Sequence, residues 1–152
     1  MKTIVLGVGN PILQDDGVGI HVIEALRQQL NTQKVTLETA STGGLNLLDL
    51  IRGYETVILV DAIKQDNGEP GEVKRFSLSD FQSVHSCNPH DVSLSEALHL
   101  AEQLGEKHLP SKIILIGITV NTSYEFGEGL SRKVASAIPA AMAMVLEELK
   151  NT

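Results

Sequence analysis

Apolar residues recur along this chain in two rhythms, and the alternation between them predicts the architecture. Residues 3–8 form a short apolar and β-branched run that breaks at Gly7 and Gly9, which is the pattern of a buried strand. Residues 17–30 change rhythm. Val18, Val22, Ile23, Ala25, Leu26 and Leu30 recur near the 3.6-residue period, and Arg27, Gln28 and Gln29 take the wet side of the predicted helix. A second strand is expected at 34–38, a polar glycine-bearing loop at 39–44, and a short helix over 45–51, stopped by Gly53. Residues 56–61 read as a third strand. Its run Val57-Ile58-Leu59-Val60 is apolar on both faces, as in a central parallel strand, and it is expected to end in Asp61.

The second half continues the alternation. A turn-rich loop over 64–71 leads to a short, polar-interrupted strand at 72–77, expected at a sheet edge. A polar loop over 83–91 carries His85, Cys87 and His90. A helix is expected at 93–104, where Ser93 and Glu96 have capping-box spacing. Residues 111–120 form a strongly apolar strand, and 121–129 a loop with two acids and two glycines. A long helix over 131–150 should kink or restart at Pro139. Strands alternating with helices predict an α/β fold: a three-layer sandwich with a twisted, mostly parallel sheet flanked by helices on both faces. All carboxyl ends of such a sheet share one edge, where the loops after strands one and three and the 83–91 segment converge.

Composition narrows the function. With 152 residues, no repeat and no linker, the chain reads as a single domain over 1–152. Three Phe, two Tyr and no Trp leave an aliphatic core and few stacking platforms for single-stranded nucleic acid. A net charge of −7 argues against a phosphate-backbone partner, and no nucleic-acid partner is expected. One cysteine excludes an internal disulfide and suits a reducing compartment. No apolar run approaches the roughly 20 residues of a membrane span, and the N-terminus lacks signal-peptide features. A cytoplasmic protein without a membrane partner is expected.

The chemistry concentrates in Gly7-Val8-Gly9-Asn10-Pro11 followed by Asp15-Asp16-Gly17-Val18-Gly19. The paired glycines suggest a dinucleotide fingerprint, but the position of its third glycine is Ile12, and two carboxylates would lie against the pyrophosphate. Asp15-Asp16, Asp61 and His90 would meet at the sheet edge. Carboxylate oxygen with imidazole suits a borderline divalent metal and leaves coordination positions open. A plain structural account also exists. Asp15 would then be a turn residue, Asp16 a helix N-cap, Asp61 a strand-ending Asx-turn and His90 a solvated loop histidine. His85, Cys87 and His90 have no standard zinc spacing, and Cys87 has no evident role. His21, His99 and His108 fall where solvated positions are expected. Neither a G-x-S-x-G elbow nor an H-E-x-x-H pair occurs.

These residues resemble the hydrogenase maturation endopeptidases, which process the large subunit of nickel-iron hydrogenases. The N-terminal Gly7-Val8-Gly9-Asn10 and Asp15-Asp16-Gly17-Val18-Gly19 segments, Val60-Asp61-Ala62, Asn88-Pro89-His90 with Leu94, and Gly68-Glu69-Pro70-Gly71-Glu72 occur in the family's order. The resemblance implies an endopeptidase that removes a C-terminal extension from the hydrogenase large-subunit precursor after nickel insertion. It also implies a catalytic and metal-contacting set of Asp16, Asp61 and His90, in which family matching favours Asp16 over Asp15. The implied metal is nickel, that of the precursor, with another divalent metal as the alternative. A monomer acting on the precursor is expected. Two rivals remain at this point: a metal-sensing binding module of the same fold without peptidase activity, and a nucleotide-binding α/β domain.

Overall fold

A computed structural model describes residues 2–30, 33–41, 45–64, 68–83, 85–86, 94–121 and 129–151. Its elements are β1 (Thr3–Val8), a 3-10 turn (Gln14–Gly17), α1 (Val18–Arg27), β2 (Val35–Ala40), α2 (Leu45–Ile51), β3 (Thr56–Lys64) and β4 (Val73–Ser77). A second 3-10 turn (Leu78–Ser83), β5 (His85–Ser86), α3 (Leu94–Gln103), β6 (Lys112–Thr119), α4 (Arg132–Ser136) and α5 (Ile138–Lys150) follow.

The strand order is β2-β1-β3-β6-β4, with the short β5 attached to β3. Strands β2, β1, β3 and β6 run parallel, and β4 is an antiparallel edge strand against β6. Alternate residues of each central strand feed two separate cores. Val5, Ile58, Val60, Ile114, Ile116 and Ile118 pack with α1, α4 and α5 on one face. Ile4, Leu6, Val57, Leu59, Ile113 and Leu115 pack with α2 and α3 on the other. The three-layer α/β sandwich expected from the pattern is therefore the observed fold. A double-faced sheet explains why the central strands read as continuous apolar runs: neither side of β3 faces water before Lys64.

Three departures from the pattern are physical. Strand β3 does not stop at Asp61 but continues through Ala62 and Ile63 to Lys64, because β6 pairs with it as far as Ile63↔Thr119. Aspartate is a poor strand former on its own, and the tertiary ladder overrides that preference. Part of the 83–91 segment is not loop: His85–Ser86 pairs antiparallel with Ile63 and Lys64. The helix expected over 131–150 is divided into α4 and α5, and Pro139 stands in the first turn of α5, where its missing N–H has no carbonyl to bond. The restart expected at Pro139 is thus present. Ser93, half of the capping-box pattern, lies outside the described residues.

Strand order also locates a crevice. From β1 the chain crosses by α1 to β2 on one side; from β2 it crosses by α2 to β3 on the other. The two crossing helices lie on opposite faces of the sheet. The carboxyl ends of β1 and β3 therefore flank the point where strand order reverses, the place where open α/β sheets bind ligands.

Candidate functional site

The segment after β1 is folded tightly onto that crevice. The Asn10 side chain accepts the Ile12 N–H at 3.2 Å in an Asx-turn, and its carbonyl accepts the Leu13 N–H at 3.1 Å. Gln14 has a left-handed backbone (φ 48), a conformation that non-glycine residues rarely take. The Asp16 carboxylate then reaches back and accepts the Asn10 N–H through Oδ2 at 2.8 Å, closing the loop on itself. Asp16 is therefore not the N-cap of α1. That position is Gly17, with no side-chain capping bond.

The glycines of the motif serve close approach between backbones. A Cβ on Gly9 would strike the Asp16 carbonyl oxygen, and one on Gly17 would stand 2.8 Å from the Pro11 Cα. A Cβ on Gly19 would strike the Val60 carbonyl and stand 2.8 Å from that of Val8, while one on Gly7 would strike the Gly19 carbonyl. These contacts pull the Asp16 turn and the start of α1 down onto β1 and β3. The spacing that imitates a dinucleotide fingerprint is a packing device here.

Asp61 stands near the carboxyl end of β3, the strand that flanks this crevice. Strand β1 pairs with β3 only as far as Gly7↔Val60, and β5 joins at Ile63. Asp61 lies in the interval between them, opposite Gly117 of β6. The 3-10 turn carrying Asp16 packs against β3. Asp16 and Asp61 are both buried, at 8% and 5% exposure. Burial of a carboxylate is costly unless the fold compensates it, so two at one sheet edge mark a site rather than a solvated surface. A third buried carboxylate, Glu148, has a structural explanation: Arg75 and Lys112 neutralise it and clamp α5 to β4 and β6. The Glu148 carboxylate holds the Arg75 guanidinium above its ordinary range.

Adjacent Asp15 faces elsewhere. Its Oδ1 accepts the Ser131 N–H at 2.7 Å and its Oδ2 the Ser131 hydroxyl at 2.8 Å, at the start of α4. Sequence reasoning missed this partnership, for which no local signal exists across 116 residues. His21, His99 and His108 are exposed, as expected. His90 and Cys87 lie outside the described residues, and among the described residues no group of three or more His, Cys, Asp or Glu is placed to hold a metal ion. Of the expected set, Asp16 therefore lies on the turn after β1 and Asp61 on β3, both buried.

The comparisons with known proteins decide the family. The family model for hydrogenase maturation protease matches residues 20–148. The chain belongs to the hydrogenase maturation protease family. That match begins after Gly19, so it is independent of the N-terminal motif that carries the sequence resemblance. The chain is similar to the hydrogenase expression/formation protein HupD of Thiocapsa roseopersicina, with 32% identity over 97% of this chain and 67% of that protein. It is similar to the hydrogenase 2 maturation protease of Escherichia coli, with 29% identity over 100% of this chain and 93% of that protein. Among solved structures, the hydrogenase maturating endopeptidase HybD from E. coli superposes with a TM-score of 0.83 at 29% identity, over 99% of this chain and 93% of that one. Another maturation protease, HybD from Thermococcus kodakarensis, superposes with a TM-score of 0.75 at 25% identity, covering 97% and 98%.

Proposed function

We propose that this family member is an endopeptidase that removes a C-terminal extension from a nickel-iron hydrogenase large-subunit precursor after nickel has been inserted. The observation that supports the reading is that two carboxylates, Asp16 and Asp61, are buried on the turn after β1 and on β3, the two strands that flank the crevice. Family membership supplies the reaction class. The donor set Asp16, Asp61 and His90 suits nickel: two hard oxygens and one imidazole bind a borderline cation while leaving positions for ligands from elsewhere. In this reading the nickel arrives with the precursor, and the site senses it rather than keeping it. The Asn10 N–H on Asp16 Oδ2 fixes the carboxylate's orientation. A water then attacks the scissile carbonyl, activated by an aspartate as general base or by the metal as Lewis acid. The protein acts as a monomer in the cytoplasm.

A mass spectrum of a nickel-loaded large-subunit precursor before and after incubation with this protein tests the reading. Loss of a single C-terminal peptide, dependent on nickel, is expected. Asp16→Ala and His90→Ala should each abolish that loss while circular dichroism and cooperative melting stay native. Normal processing by both variants would sink the assignment. An unchanged precursor mass with wild-type protein, despite association of the two, would favour a binding module instead.

A further inference from the structure

Serine at a helix N-cap normally spends its hydroxyl on its own helix, accepting a backbone N–H from the first turn, a contact worth about 1 kcal/mol. Ser131 occupies the N-cap of α4 and makes no such bond. Its hydroxyl and its own N–H both go to Asp15 instead, at 2.8 and 2.7 Å. The helix start forgoes its local cap to hold a carboxylate 116 residues away in sequence. Both oxygens of Asp15 are engaged by this grip.

The anchor is well fixed. Leu130, beside Ser131, packs against the α1–α5 core. The backbone of Lys133 in α4 lies so close to Gly71 that a Cβ there would stand 2.7 Å from the Lys133 carbonyl. Gly71 in turn donates its N–H to the Thr119 carbonyl at the end of β6, at 2.8 Å. The Asp16 turn is therefore tied at its inner side to β1 and β3 and, through Asp15, at its outer side to α4 and the sheet edge. We propose that Asp15 is a positioning residue for peptide-bond cleavage: by gripping Ser131 it holds the 3-10 turn so that neighbouring Asp16 presents its carboxylate to the crevice. The inference rests on Asp16 belonging to the active set. With both oxygens taken by Ser131, Asp15 acts in this proposal through Asp16 and not on substrate or metal. A displacement of a catalytic group on the order of 1 Å costs on the order of a hundredfold in rate, so the grip acts on turnover, not on precursor binding.

The test uses the full chain and a nickel-loaded large-subunit precursor, with kcat and KM determined separately. Asp15→Ala, which removes both hydrogen bonds to Ser131, should lower kcat by about tenfold or more. Ser131→Ala, which keeps the N–H but removes the hydroxyl, should lower it a few-fold. KM should stay within about twofold in both, since no substrate contact is lost. The double variant should be no slower than Asp15→Ala alone, because the two residues share one interaction. Ser131→Thr, which retains both donors, should restore kcat. Should Asp15→Ala not fold, the Ser131 pair carries the test alone. Unchanged kcat in the single variants, multiplying losses in the double, or a raised KM with intact kcat would overturn the proposal. Asp16→Ala measured alongside separates the two levels. An inactive Asp16→Ala beside a fully active Asp15→Ala removes only the positioning role, whereas a fully active Asp16→Ala removes the reading beneath it.

Discussion

At the scale of single residues the site is a matter of glycines as much as of acids. Gly19 stands inside α1, where alanine would be favoured by about 1 kcal/mol on helix propensity alone. Sterics outweigh that gain. The Val60 and Val8 carbonyls crowd the Cβ position, and both belong to strands whose pairing holds them in place. Overpacking of this kind costs about 1–3 kcal/mol. Gly19→Ala should therefore be destabilised by up to about 2 kcal/mol net, seen as a lower urea midpoint at unchanged m-value. It should also lose processing beyond what its stability explains, because α1 and the Asp16 turn are lifted from β3. A midpoint equal to or above wild type would show that the close approach is not needed. The sequence exposed these glycines but not their purpose, because a contact between Gly19 and the carbonyl of Val60 exists only once β1 and β3 are paired. Local pattern alone does not separate Asp15 from Asp16, and only the family resemblance favours Asp16; the fold gives the physical difference, sending one to Ser131 and the other back to Asn10.

At the scale of elements, periodicity was enough wherever packing follows it. Helix α2 has the bounds its pattern predicts, and β4 lies at the edge as its polar residues require. Failures came where a neighbour decides: Asp61 does not end β3 because β6 carries the ladder onward, and β5 is too short to show a pattern. The turn after β4 belongs to the same class. Asp80 accepts the Ser77 N–H at 3.1 Å and its hydroxyl at 2.9 Å, tying Leu78–Ser83 to the end of β4. The Ser77 hydroxyl, then its N–H, hold the Asp80 carboxyl below its ordinary value of 3.8. A depressed folded-state value means that the tie is fully present above pH 3.8 and is lost as pH falls through the lower, folded value. Hydrogen exchange of the Ser77 amide should accordingly lose protection only below that ordinary value. Asp80→Asn should remove this acid-limb step without affecting exchange in β3. A Ser77 amide whose protection falls already between pH 5 and 7 would contradict the assignment.

At the scale of the whole molecule, a sheet covered on both faces leaves its carboxyl edge as the ground for chemistry. Strand order reverses between β1 and β3, and Asp16 follows the first while Asp61 lies on the second. In the proposed reading Asp16, Asp61 and His90 would form an incomplete cage, suited to a cation whose remaining ligands come from another protein. That division of ligands has a consequence that distinguishes substrate-borne from resident metal. Protein stripped with a strong chelator and desalted should process a nickel-loaded precursor at the untreated rate, since the metal returns with each substrate molecule. The same stripped protein should leave a nickel-free precursor intact, although the scissile bond is present and chemically unaltered. Mass spectra of the two precursors under matched conditions read out both arms. If stripping abolished cleavage of the loaded precursor, and added divalent metal restored it, the site would hold a resident Lewis acid and the nickel-sensing account would fail. If the nickel-free precursor were cut as fast as the loaded one, neither account of the metal would stand, and the two aspartates would remain as the acid–base pair of a metal-independent hydrolysis.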